Sequence, residues 1–342
     1  MARYEAAVAR PSPCGWSRRT FVALLTACLC FPLLGGLARP AAATAAATHL
    51  LALQIVGIGG FTISYDGNSY DWANTSGGTY NLGGYNLPEG TVVTLTVHTP
   101  LGQEFLGWNV AGVQRNWAST LTLTVTDAVA VGATFQSRPT FPDVPPGGRY
   151  EAIFHLAGHN IVRGYEDGTF GPSDRILRAQ MAGLIARTMG WDGQQFSTTF
   201  ADRCNASACV DAQLWANVSA LAFHNVARGY DPATFAPFDN ISTVQMVSLV
   251  TRGMVARGYW ADQPERADIY PNVPADSGHR QDLATYVHYA GALPLADMFY
   301  SYPLPGWDQP TNRATFADVL WQALDRTLSR PESRYYPDAP LP

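Results

Sequence analysis

One phrase, written twice, constrains this chain more than any other feature. Gly164-Tyr165-Glu166-Asp167-Gly168-Thr169-Phe170-Gly171-Pro172 returns 65 positions later as Gly229-Tyr230-Asp231-Pro232-Ala233-Thr234-Phe235-Ala236-Pro237. Each copy is preceded, 14 residues before its first Gly, by an aromatic residue at the start of a helical pattern: Tyr150 in one, Trp215 in the other. Each is followed by a second amphipathic stretch, with Met181, Leu184, Ile185 and Met189 on one face in the first copy and Met246, Leu249 and Val250 in the second. Entry segments recur as Phe141-Pro142-Asp143-Val144, Phe200-Ala201-Asp202 and Tyr270-Pro271-Asn272-Val273. The third copy keeps its entry and its last helix (Phe316, Val319, Leu320, Ala323, Leu324, Leu328), but a Pro-rich run at 293–308 replaces the Gly-Tyr loop. Repetition at this spacing predicts units that bury their faces on one another.

These residues resemble the S-layer homology (SLH) motif, which runs Phe-x-Asp-Val, a helix opened by an aromatic, Gly-Tyr-x-Asp-Gly-Thr-Phe-x-Pro, and a helix opening Thr-Arg-Ala-Glu. The resemblance spans about 190 residues and is strong in the first copy, good in the second and weak in the third. It implies three repeats, 141–192, 200–260 and 270–328, in a pseudo-threefold trimer whose grooves bind secondary cell-wall polysaccharide, often with pyruvylated sugars. Part of the motif has a structural job: Thr-Arg-Ala-Glu is a capping box. Here Ser242-Thr243-Val244-Gln245 keeps the box, Asn312-Arg313-Ala314-Thr315 keeps the cap alone, and Leu177-Arg178-Ala179-Gln180 has lost the capping side chain. The residue left over is the Arg, at the positive end of a helix, where it suits an anionic substituent. Arg178 and Arg313 hold that place and Thr243 does not, so at most two anion sites are expected. Arg178 is expected to dominate, with the degenerate loop at 293–308 distorting the groove of Arg313. Gly164 and Gly229 are expected to supply backbone conformations closed to other residues and close approach to ligand. Tyr150 and Trp215 are candidates for stacking on a sugar ring, against a plain role in helix packing.

Before the repeats, residues 50–137 alternate like strands. Thr91–Val97 and Thr120–Val125 are β-branched with period two. Clusters at Asp66-Gly67-Asn68, Gly77-Gly78 and Gly83-Gly84 read as turns. The order Pro88-Glu89-Gly90-Thr91, strand, Phe105-Leu106-Gly107-Trp108, strand, Ala133-Thr134-Phe135 resembles the divergent internalin B-repeat family, which implies a spacer or adhesive module without catalytic residues. Tyr65, Tyr70, Trp72, Tyr80 and Tyr85 read as packing on one face of a small sheet, with sugar stacking as the alternative. The expected fold is therefore multidomain: a small mostly-β module followed by a mostly α-helical SLH pseudo-threefold trimer, with a tail at 329–342.

Residues 1–43 read as a secretory signal, with Arg18-Arg19 before Thr20-Phe21, an apolar run at 23–37 and Ala41-Ala42-Ala43. The paired arginines resemble a twin-arginine export signal, against an ordinary secretion route. Every one of the 22 basic residues is Arg. Removal of the leader takes five Arg and one Glu from totals of 22 and 27, leaving 17 against 26 and a net charge of −9. So acidic a chain is a poor partner for nucleic acid. Of five cysteines, only Cys204 and Cys209 lie beyond the leader, and an oxidising destination predicts a local disulfide between them.

No Gly-x-Ser-x-Gly, Walker or His-Glu-x-x-His motif is present. His155 and His159, at i and i+4, share a helix face but have no third ligand within sequence reach, so neither a metal nor any cofactor is implied. The expectation is a non-catalytic, exported protein of the cell wall or S-layer surface. It would bind secondary cell-wall polysaccharide, pyruvylated or not, with peptidoglycan as the alternative, through Arg178, Arg313, Trp215, Tyr150, Gly164 and Gly229. Surface proteins are the expected partners of the β-module; a structural subunit of an envelope layer is the runner-up reading.

Overall fold

The computed structural model describes residues 46–114, 117–147, 150–266, 273–274, 277–293 and 306–328. The expected leader, the expected tail and most of the Pro-rich run lie outside them. Among the described residues, alternation of apolar and polar residues produces nine strands: β1 (Thr48–Val56), β2 (Gly59–Tyr65), β3 (Asn68–Asn74), β4 (Thr79–Pro88), β5 (Thr91–His98), β6 (Gln103–Val110), β7 (Val113–Gln114), β8 (Thr120–Val125) and β9 (Val129–Ser137). They form two sheets, ordered β4-β1-β9-β6-β7 and β3-β2-β5-β8. All pairings are antiparallel except β1 with β9. The inward faces bury Leu51, Ile55, Phe61, Ile63, Leu95 and Trp108 completely, as period-two strands with one wet face require.

The tight β2–β3 turn uses left-handed backbone at Asp66 (φ +48°) and Gly67 (φ +75°), which suits a two-residue hairpin. Gly77 and Gly78 turn the chain between β3 and β4. Gly83-Gly84 is a different matter: the expected turn is absent and both residues lie inside β4. A bulge shifts the β1–β4 register there, Gly83 takes φ +86° to allow it, and a side chain at Gly84 would strike Leu50.

From residue 138 onward the period changes to that of helices: α1 (Glu151–Gly158), α2 (Arg178–Thr188), α3 (Ala212–Phe223), α4 (Thr243–Ala256), α5 (Arg280–Ala290) and α6 (Arg313–Leu328). The entry segments fasten the Gly-Tyr loops. Asp143 accepts the backbone N–H groups of Phe170 (2.8 Å) and Gly171 (2.7 Å); Asp202 accepts those of Phe235 (3.1 Å) and Ala236 (2.6 Å). Phe141 packs on the buried Phe170, and Phe200 on Phe235.

Three short antiparallel bridges then link the segments that precede α2, α4 and α6: Leu177 with Asn240, Ser242 with Pro310, and Arg175 with Asn312. The last joins the third segment back to the first. Helix openings follow the same order. The N–H groups of Arg178 and Ala179 donate to Asp239 and Pro237, that of Thr243 to Gln309, and those of Arg313 and Ala314 to Asp174 and Pro172. Carbonyls from a neighbouring segment thus satisfy donors that Leu177, which has no acceptor, leaves open.

The β-module docks on the helices through a buried charge cluster. Glu104 of β6 receives Arg138 Nε at 2.8 Å and His155 Nδ1 at 2.9 Å, and lies 3.4 Å from His159 Nε2. Arg138 also binds Glu151 (2.9 Å), and His155 stacks on Trp321 of α6. Gly158 admits Glu104 at the end of α1, because a Cβ there would come within 2.8 Å of its side chain. Burial by itself would raise the Glu104 pKa, but hydrogen bonds from His155 and His159 outweigh it and hold the carboxyl at about 2.

Candidate functional site

Arg178 stands at the first turn of α2, and its side chain leaves its own repeat to enter the next one. It is 7 % exposed. Nε donates to the carbonyl of Phe235 (2.8 Å), one terminal nitrogen donates to Gln245 Oε1 (3.1 Å), and the guanidinium lies 4.5 Å from the Tyr230 ring and 4.9 Å from that of Phe235. The groove holding it measures about 330 Å³ and is further lined by Arg228, Gly229, Ser248, Arg252 and His279. Arg252 pairs with Asp282 at 2.7 Å. Burial lowers the pKa of Arg178, while Tyr230, Asp239 and Asp202 oppose that shift.

Arg313, at the start of α6, repeats this geometry against the first loop. Its Nε donates to Phe170 O (2.7 Å), a terminal nitrogen donates to Arg163 O (2.7 Å), and the Tyr165 and Phe170 rings lie 4.8 and 4.4 Å away. Arg187 feels the charges of Arg163 and Arg313. Two trios therefore correspond, Arg178–Arg228–Arg252 and Arg313–Arg163–Arg187. Planar guanidinium groups held against aromatic rings suit the bidentate gripping of carboxylate or phosphate.

The arginine side chains thus reach into a neighbouring copy. Arg313 meets the best-preserved loop, at Phe170 and Arg163, while the run expected to distort its groove lies mostly outside the described residues. Thr243, which holds the equivalent place on α4, donates its N–H and its hydroxyl to Gln309 O at 2.9 and 3.3 Å.

The glycines divide as well. Gly229 adopts φ +71°, as expected. Gly164 does not use the left-handed region; a Cβ there would lie 2.7 Å from Thr169 O and 2.8 Å from Phe141, so its requirement is space. Trp215, on the first turn of α3, and Tyr150, which precedes α1, are half-buried against the core and do not line the groove of Arg178. Arg163, Arg187, Arg228 and Arg252 were not singled out from sequence. The signal was available, since Arg163 and Arg228, like Arg187 and Arg252, keep the repeat interval of 65 residues.

Cys204 and Cys209 are joined by a disulfide. His155 and His159 meet at Glu104 with Arg138 in the same cluster, and among the described residues no group of His, Cys, Asp and Glu is arranged to hold a metal ion. Nor is any described helix long and apolar enough to cross a membrane.

Residues 140–182 match the S-layer homology domain, and residues 70–139 the divergent InlB B-repeat domain. The chain is similar to a surface layer protein of Brevibacillus choshinensis, with 25 % identity over 140 residues covering 39 % of this chain and 11 % of that one. It is 30 % identical to cell surface glycoprotein 1 of Acetivibrio thermocellus over 117 residues, 33 % of this chain and 4 % of that one. An endoglucanase of Bacillus sp. (strain KSM-635) is 22 % identical over 172 residues, 50 % of this chain and 17 % of that one. The chain thus spans a small part of the length of each.

Proposed function

We propose that this is an exported cell-surface protein, held to the cell wall by residues 141–328 acting as three SLH repeats in a pseudo-threefold ring. The grooves of Arg178 and Arg313 grip an anionic secondary cell-wall polysaccharide, and the module at 50–137 serves as spacer or adhesin. The observation that carries this reading is the pair of equivalent arginine trios, each assembled from two neighbouring repeats. The closed set of bridges among the segments before α2, α4 and α6 supports the ring. The reading assigns no catalysis; hydrolysis of wall polymer or cellulose by the purified chain would contradict that part.

The test is co-sedimentation of the exported chain with cell-wall sacculi, before and after acid removal of secondary polymer. Binding is expected to vanish with the polymer. Arg178→Ala and Arg313→Ala are each expected to weaken it about ten- to a hundredfold, the scale of a lost charged hydrogen bond, about 1.5–3 kcal/mol. Arg178→Lys keeps the charge and loses the fork, and is also expected to bind less well. Thr243→Ala is expected to bind like the parent. Undiminished binding by folded Arg178→Ala and Arg313→Ala would sink the groove assignment.

The similarity to a surface layer protein favours one second reading, a subunit of an envelope layer. A monodisperse monomer in size-exclusion chromatography would count against it.

A further inference from the structure

The two arginine grooves are not alike on their third wall. In the groove of Arg178, Ser248 of α4 faces His279, which immediately precedes α5, and its hydroxyl lies 2.8 Å from His279 Nδ1. His279 lines the cavity together with Arg178, Arg228, Tyr230 and Arg252. In the other trio the counterpart of Ser248 is Gly183, 65 positions earlier. Leu214 of α3 packs over it, and a Cβ on Gly183 would come within 2.8 Å of that side chain. The charged groups acting on Arg187 are Arg163, Asp192 and Arg313, with no histidine among them.

We propose that His279 makes the Arg178 groove a proton-linked anion site, in which the imidazole gains a proton as a carboxylate ligand is seated beside the three arginines. This rests on the anion-groove reading given above. The charges facing His279 are Arg252 from α4, Asp282 from its own helix, Arg228 from the Gly-Tyr loop and Arg178 from α2. Burial comes first and Arg252 next in holding the imidazole below its ordinary pKa, against the pull of Asp282. A carboxylate placed among the arginines offsets their repulsion and raises that pKa. Linkage then fixes the sign: if binding takes up a proton, affinity increases as pH falls from about 7.5 towards about 5.5. Among the described residues no histidine acts on Arg187 or Arg313, and their groove is expected to bind without pH dependence over that range.

The experiment is calorimetric titration of the exported chain carrying Arg313→Ala, so that one groove reports. The probe is a pyruvate-ketal monosaccharide, whose carboxylate stays ionised throughout. Measurements at pH 5.5 and 7.5, in buffers of different protonation enthalpy, are expected to give about three- to tenfold tighter binding at the lower pH, with fractional proton uptake. His279→Gln, which keeps a polar group beside Ser248, is expected to bind at the weaker level at both pH values. Proton uptake is read on a chain with His279 intact, so a misfolded His279→Gln variant would leave the test standing. Binding that is lost on Arg178→Ala but shows neither pH dependence nor proton uptake keeps the groove reading and overturns this inference. So does pH dependence that survives in folded His279→Gln. Absence of binding at both pH values, in this chain and in the parent, overturns the groove reading and this inference with it.

Discussion

At the scale of single residues, the two loop glycines separate two kinds of constraint. Gly164→Ala brings a methyl group against Thr169 O and Phe141, and is expected to cost about 1–3 kcal/mol, as overpacking does. Gly229→Ala meets similar neighbours and must also hold positive φ, so it is expected to cost about 1–2 kcal/mol more. Urea melts of the two variants check the order. Glu104 yields a pH expectation. Its folded pKa of about 2 lies below its ordinary value of 4.5, so its stabilising contribution is present above pH 4.5 and is lost as pH falls towards 2. Burial also depresses His159, so the unfolded chain takes up that proton first and stability starts to decline below its ordinary 6.5. Glu104→Gln, at a site 4 % exposed, is expected to flatten the lower step and to cost about 3 kcal/mol at pH 7. Thermal melts from pH 7 to 2.5 measure both. Arg178 and Arg313 were legible because capping leaves them without a local task. Glu104 was not, since its partner His155 lies 51 residues away and no periodicity links a strand residue to it.

Helix starts and short loops set the next scale. Asn312 caps α6 by accepting the N–H of Thr315 at 2.9 Å, and Asn312→Ala is expected to cost about 1 kcal/mol. Ser242 and Gln245 close a reciprocal box at 3.4 and 3.3 Å, and Gln245 also receives Arg178. Gln245→Ala is therefore expected to affect ligand binding as well as melting temperature, whereas Asn312→Ala moves only the second. The Cys204–Cys209 bond closes a loop of very few residues, so reduction is expected to cost only about 1–2 kcal/mol. Strand and helix positions were readable because period two and period 3.6 survive in single stretches. The bulge at Gly83-Gly84 was not, because adjacent glycines signal a turn and a kinked strand equally well. Leu177 misled in another way: its missing cap is supplied by carbonyls 60 and more positions downstream, at Pro237 and Asp239.

At the scale of the whole molecule, order along the chain differs from order in space. The repeat predicted units stacked on one another and the resemblance a pseudo-threefold trimer, but neither placed Arg178 against the second copy's loop and Arg313 against the first's, with the third copy bridged back to the first. That closure depends on contacts such as Arg175–Asn312, which no local pattern encodes. It carries a consequence for truncation. A linear stack would keep its first two units after loss of the third. Here removal of residues 267–342 takes away α6, which covers α1, and strips Asn312 from Arg175. The shortened chain is expected to lose cooperative helical melting by circular dichroism; retention of a melt near that of the parent would argue against closure. The same closure governs how the molecule would respond to tension. The beginning and the end of the helical region share one seam, α1 against α6, and the β-module joins the chain beside it. A pull through that module would unzip the seam one contact at a time if it arrived at α1 alone. Arg138, clasped at once to Glu104 of β6 and Glu151 of α1, shares that pull between strand and helix, so it does not arrive at α1 alone.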